Sequence, residues 1–73
     1  MANKAEALKV KVQKTIDNSE YRSVKMLGIS CSRSDLEMIV FILDIFLKQG
    51  NINGFAVYGN SREVIEKAGI NLN

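Results

Sequence analysis

The chain has 73 residues and a formal net charge of +2, with one cysteine and neither histidine nor proline. This length predicts one domain, residues 1–73, near the size at which a single hydrophobic core is only just sufficient. The residues are 47% hydrophobic and 25% charged, which argues against a disordered chain. A lone cysteine excludes an intramolecular disulfide, and we expect a reducing, cytoplasmic setting.

The N-terminal segment, residues 1–20, fits two local structures. As a strand, Leu8, Val10 and Val12 alternate with polar residues. We favour a helix over residues 3–17, because no turn residue interrupts that stretch. The helix would have an apolar face of Ala5, Leu8, Val12 and Ile16 and a basic face of Lys4, Lys11 and Lys14. The opening MANKAEALKV carries an acid and alternates polar with apolar residues, so no secretory signal is expected.

A turn is predicted next, at residues 17–20, from its polar composition. It is followed by a predicted strand over residues 22–29, whose later residues are apolar on both faces. Strands that are apolar on both faces are typical of buried, parallel pairing. Residues 30–33 are then predicted to form a loop that leads into the longest apolar stretch of the chain.

That stretch is the central helix, residues 36–47, which reads LEMIVFILDIFL and has ten apolar residues among its twelve. Ser34 is the expected N-cap, and Glu37 would complete a capping box with it. Gly50 is the expected left-handed residue after the helix. Two acids interrupt the run, and it is well short of the ~20 residues that span a bilayer, so no membrane partner is expected.

The apolar surface of the central helix is wider than one packing face requires. Glu37, Asp44 and Lys48 share one narrow polar stripe, on which Phe41 also lies, and apolar side chains cover roughly 220° of the helix. The helix must therefore be covered on at least two sides, which in so short a chain predicts a homodimer or higher oligomer. The expected interface residues are Leu36, Ile39, Val40, Phe41, Leu43, Phe46 and Leu47.

The C-terminal third contains a second predicted strand, residues 55–58, and a last helix capped by Asn60 or Ser61. Gly69 would end that helix, and residues 70–73 would form a tail. The predicted fold is thus α/β, or α+β, in the order α-β-α-β-α.

Residues 21–69 would form a β-α-β-α unit, in which a right-handed crossover makes the two strands parallel. Two parallel strands alone are not a stable sheet. The missing strands would have to come from another subunit, or from residues 8–16 if those are a strand. Oligomerisation is therefore expected to complete the fold.

Two similar junctions, residues 28–34 and 58–62, each connect a predicted strand to a helix N-terminus. Next to parallel strands they would lie together at the carboxyl edge of the sheet, where open α/β folds bind ligands. Backbone N–H groups, hydroxyls and one arginine in each junction are the components of a phosphate or carboxylate site. Neither junction matches a P-loop or GxGxxG, and helix capping alone also explains these residues. The candidate ligand-binding residues are Ser32, Arg33, Ser34, Asn60, Ser61 and Arg62.

No residue pattern indicates catalysis. Cys31 lies near a helix N-terminus, but the chain has no histidine to act as its base, so we interpret it as a small buried hydrophobic residue. One cysteine and no histidine exclude an ordinary zinc site, and the acids are dispersed along the chain. We therefore expect a protein that is not an enzyme and that uses neither cofactor nor metal.

Three functions fit these observations. The first is a non-catalytic homo-oligomer that sequesters an anionic, nucleotide-like small molecule at the paired junctions, with the character of a phage or mobile-element accessory protein. The alternative is an inhibitor or adaptor that docks on a host protein through the apolar helix or the basic N-terminal segment and blocks it. The third is nucleic-acid binding through the basic N-terminal segment, because residues 1–25 hold six basic and three acidic groups.

Overall fold

Three helices and one β-hairpin make up the fold in the computed structural model, which describes residues 3–18, 23–52 and 54–72. The protein is thus a small α+β domain, one of the two predicted classes. In chain order the elements are α1 (Lys4–Asn18), β1 (Ser23–Met26), β2 (Ile29–Ser32), α2 (Arg33–Gln49) and α3 (Gly59–Lys67).

Helix α1 confirms the helical interpretation of the N-terminal segment. The Asn3 side chain caps it, since its Oδ1 accepts a hydrogen bond from the backbone N–H of Ala5 at 2.8 Å. The predicted apolar face is the buried one, and it packs against α2. Part of the turn predicted at residues 17–20, and the first residue of the strand predicted at 22–29, lie outside the described residues.

The strand predicted at residues 22–29 is wrong, because the chain reverses direction within it. β1 and β2 pair antiparallel, and the partners Met26 and Ile29 enclose a two-residue turn of Leu27 and Gly28. Both turn residues have positive φ, 54° and 83°, as a tight hairpin turn of the I′ kind requires. The loop predicted at residues 30–33 is largely strand β2, in which Cys31 faces the core.

The predicted parallel β-α-β unit is also wrong. In the described residues the sheet has two strands, β1 and β2, and they are antiparallel. Residues 55–58 form no strand, and of these four only Val57 is buried. An extended segment needs a neighbouring strand to satisfy its backbone, and here side chains of α3 satisfy part of it instead.

Helix α2 is the centre of the fold, and the chain itself covers its inner face. Leu36, Ile39 and Leu43 are at most 3% exposed in a core that α1, the hairpin and α3 complete. Burial of these three residues therefore needs no second subunit. Among the other residues expected at an oligomer interface, Val40, Phe46 and Leu47 are half-buried, and Phe41 is exposed.

The start of α2 corrects the predicted cap. Ser32, not Ser34, is the N-cap, and its hydroxyl accepts a hydrogen bond from the backbone N–H of Asp35 at 3.1 Å. The Asp35 carboxylate accepts one in return from the backbone N–H of Ser32 at 2.9 Å. The capping box therefore lies two residues earlier than expected, because the hairpin runs directly into the helix.

Helix α2 ends as predicted. Gly50 has a φ of 79°, and its backbone N–H donates to the carbonyl of Phe46 at 2.7 Å. Asp44 and Lys48 form the expected i,i+4 ion pair at 3.1 Å. No helix within the described residues is both long enough and apolar enough to cross a membrane.

Candidate functional site

The two junctions expected to hold a ligand come together at the N-terminal ends of α2 and α3. The Asn60 side-chain amide donates to the Asp35 carboxylate at 3.4 Å, which links the start of α3 to the start of α2. Parallel strands do not bring the two junctions together. The junctions are close because the hairpin is antiparallel and α3 packs on α2. The two junctions are therefore brought together through Asn60 and Asp35, for a different reason from the one predicted.

Both arginines of the junctions interact with groups of the chain itself. Arg33 donates to the Ile16 carbonyl at 3.4 Å, and its guanidinium lies 3.7 Å from the Glu37 carboxylate. Arg62 donates to the Val57 carbonyl at 3.0 Å and forms an ion pair with Glu66 at 3.1 Å. An anion at the junctions would have to compete with these contacts.

Two further junction residues also have structural contacts. Ser32 caps α2, and the buried Ser61 donates to the Tyr58 carbonyl at 3.2 Å. The Asp35 carboxylate lies at the N-terminus of α2, where a bound anion would be expected. The backbone N–H of Ser32, with help from the Asn60 amide, holds the pKa of Asp35 below its ordinary value. Asp35 is therefore ionised at neutral pH and disfavours a second negative charge there.

A different surface is formed where α2 meets the segment before α3. Met38, Phe41, Phe55 and Tyr58, which we call the aromatic surface, are between 43% and 78% exposed. The rings of Phe41 and Phe55 meet edge to face, with centroids 6.1 Å apart and an interplanar angle of 77°. Met38 and Tyr58 line a common groove of about 210 Å³. Met38 and Phe41 lie three residues apart on α2 and are neighbours on its surface, which connects the two pairs of side chains.

The sequence identified only part of this surface. The position of Phe41 on the polar stripe of the central helix correctly indicated an exposed ring. Phe55 and Tyr58 were missed because their segment was interpreted as a buried strand. The helical period predicts which positions of α2 are exposed. No local signal indicates that the irregular segment before α3 places the rings of Phe55 and Tyr58 beside those positions.

The structure adds nothing that would make Cys31 a nucleophile. Its side chain is fully buried, and burial together with the nearby charge of Asp35 raises the pKa of the thiol. Within the described parts of the chain, no group of three or more cysteine or acidic side chains is placed to hold a metal ion. Cys31 contributes to the core.

Comparison with known proteins adds no relatives to these observations. No protein-family model matches the sequence, and neither curated proteins nor solved structures give a significant match.

Proposed function

We propose that this chain is a non-catalytic binding protein that acts as a two-fold homodimer, joined through the aromatic surface. The observation that carries the proposal is the continuous exposure of Met38, Phe41, Phe55 and Tyr58 on a chain whose core is otherwise well buried. Single exposed apolar residues are common, whereas a continuous patch of large ones is typical of interaction sites. A second copy is the occupant that the pattern of α2 favours.

The exposed stripe of α2 supports an antiparallel pairing of two copies. Its residues recur every three or four positions: Ser34, Met38, Phe41 and Gln49 are exposed, and Ile45 between them is half-buried. The pairs Ser34 with Gln49 and Met38 with Ile45 share one midpoint, next to Phe41. A two-fold axis at that point would place Met38 of one copy against Ile45 of the other and bring the two Phe41 rings together.

The charges beside this stripe favour the same arrangement. Glu37 near the N-terminus of α2 and Lys48 near its C-terminus lie on the same side of the exposed stripe. In the antiparallel pair, Glu37 of one copy would lie about 3 Å along the axis from Lys48 of the other. Opposed helix dipoles add to this complementarity. A two-fold interface uses the same surface on both copies, so it stops at two copies.

The first test is the mass of the protein in solution, by sedimentation equilibrium at about 100 µM. We expect twice the chain mass of 8.1 kDa. Phe41→Asp should give a folded monomer, because it places two carboxylates at the two-fold axis. Val10→Asp is the matched control, since Val10 is 48% exposed on α1, away from the aromatic surface. A wild-type monomer would contradict the proposal and would favour an adaptor that binds another protein.

A charge-swap series tests the antiparallel orientation. Glu37→Lys and Lys48→Glu should each weaken the dimer, and the double variant should restore it. Within one chain, the double variant still loses the Glu37 pair with Arg33 and the Lys48 pair with Asp44. Rescue can therefore arise only from a pair between copies. Additive weakening in the double variant would rule out this orientation.

The anionic-ligand hypothesis receives less support from the same junctions. Asp35 already carries a negative charge at the N-terminus of α2, and Arg62 already has two partners in the chain. Calorimetric titration of a nucleoside triphosphate into the protein and into Arg33→Ala with Arg62→Ala tests it directly. We expect no binding to either protein.

A further inference from the structure

A groove that shares no lining residue with the aromatic surface carries a concentration of positive charge. It lies where the N-terminal part of α1, the hairpin turn and the end of α3 meet, and its volume is about 310 Å³. Three lysines, Lys4, Lys11 and Lys67, line it, and we call it the basic groove. Its remaining lining is uncharged and is made of Ala7, Leu8, Leu27 and Ala68. Lys4 and Lys11 belong to the basic face predicted for α1, whereas Lys67 comes from another helix.

The lysines of the basic groove make no ion pair or hydrogen bond with any described residue. Lys9 and Lys48 differ, because both contact Asp44. Glu63 lies four residues before Lys67 on α3, yet the two form no ion pair. The charge of the basic groove is therefore not neutralised within the described chain.

Two glycine turns leave room for the ammonium groups at the ends of the basic groove. Lys67 Nζ lies 3.4 Å from the position that a Cβ on Gly28 would occupy, in the hairpin turn. Lys4 Nζ lies 3.1 Å from the corresponding position on Gly69, after α3. A Cβ on Gly28 would only be in ordinary contact with Lys67, whereas one on Gly69 would shift the Lys4 ammonium group by a few tenths of an ångström. The two glycine turns therefore border the groove beside these ammonium groups.

We propose that the basic groove binds the phosphodiester backbone of a nucleic acid, a function that goes beyond dimerisation. Lys4 and Lys11 are seven residues apart on α1, which separates them by about 10.5 Å along the helix axis. Lysines spaced this far apart can each contact a different phosphate of a nucleic acid, because duplex DNA carries a charge every ~1.7 Å of its axis. One small anion could not contact both. Among the residues that the structure describes, none that lines the groove is aromatic and could stack on a base, so we expect recognition of the backbone independent of base sequence.

The test is fluorescence anisotropy with a labelled 20-base-pair duplex, and with a single strand of the same length, across a salt series. Affinity should fall steeply between 50 and 200 mM salt, as counterion release requires. Lys11→Ala with Lys67→Ala should weaken binding about tenfold and reduce the slope of log K against log salt by about two.

The control variant is Lys14→Ala with Lys25→Ala, which removes the same charge outside the basic groove and leaves the proposed dimer interface intact. It should weaken binding much less, because Lys14 lines a different groove and Lys25 lies on β1. Three results would overturn the proposal: no binding at 50 mM salt, equal losses in the two double variants, or equal affinity for polyglutamate of the same charge. The last would assign the groove to acidic peptides.

Discussion

Lys9 of α1 donates a hydrogen bond to the Asp44 carboxylate of α2 at 2.9 Å, and so joins two residues 35 positions apart. The second carboxylate oxygen lies 3.1 Å from the ammonium group of Lys48, one turn further along α2. The three charges lie at the edge of the α1–α2 interface, where they are partly exposed. This cluster links the position of α1 to that of the central helix.

The cluster predicts a pH dependence of stability. Hydrogen bonds from Lys9 and then Lys48 lower the pKa of Asp44 from its ordinary value of 3.8. Since the folded state depresses this pKa, the stabilisation is complete above pH 3.8 and is lost as the pH falls through the lower pKa of the folded protein. Asp44→Asn should therefore lower stability at pH 7 and reduce its loss below pH 4, measured by urea unfolding at each pH.

Lys9→Gln is the matched variant for this prediction, because it removes the ammonium charge of Lys9 and keeps the Asp44 carboxylate. It should reduce the acid-dependent loss in the same direction as Asp44→Asn, and the double variant should add less than the sum of the two. Asp35, whose pKa is also lowered, should keep part of the dependence in every variant. An unchanged acid profile in Asp44→Asn would show that the contact with Lys9 is not formed in solution.

The position of the α2 cap gives a second prediction. Ser32→Ala removes the hydroxyl that accepts from the Asp35 backbone and should lower the free energy of unfolding by about 1 kcal/mol. Ser34→Ala, two residues later, should change it by less than about 0.5 kcal/mol, since that side chain is exposed in the first helical turn. Thermal unfolding of the two variants compares the observed cap with the one the sequence suggested.

Arg62 gives a third prediction, because it attaches the segment of the aromatic surface to α3. Its guanidinium donates to the carbonyl of the buried Val57, between Phe55 and Tyr58. Arg62→Ala should leave that carbonyl without its donor and should cost roughly 1–2 kcal/mol. It should also speed hydrogen exchange in residues 54–58.

Glu66→Ala separates the two contacts of Arg62. This variant removes the exposed ion pair and keeps the hydrogen bond to Val57, so it should cost about 0–1 kcal/mol. Exchange in residues 54–58 should stay close to that of the wild type. Equal effects of the two variants would mean that the ion pair, and not the bond to the Val57 carbonyl, holds the segment.

Patterns with a helical period were predictable from the sequence because neighbours within one helix decide them. The four apolar residues of α1, the exposure of Phe41 and the left-handed Gly50 all follow from positions within a few residues of each other. The basic face of α1 was likewise visible, although its completion by Lys67 was not. That lysine belongs to another helix, and only packing brings it to the groove.

The hairpin could have been recognised locally but was not. Leu27 occupies a left-handed turn position where asparagine or glycine is usual, so it was counted as part of a continuous strand. This error moved the start of α2 and placed the cap on Ser34 instead of Ser32. A continuous strand over residues 22–29 would also require strands from a second subunit to complete a parallel sheet.

The sequence by itself determined three helices, the buried face of α1 and the polar stripe of α2 that carries Phe41, since a period of 3.6 residues is a property of the local chain. Only the tertiary structure decided what lies beside those helices. Phe55 packs against Phe41, and Lys67 lines the same groove as Lys4 and Lys11, because the chain after Gly50 returns and packs α3 against α2 and the hairpin. Contacts between segments distant in sequence depend on how all the helices and the hairpin pack together, and no local sequence pattern determines that packing.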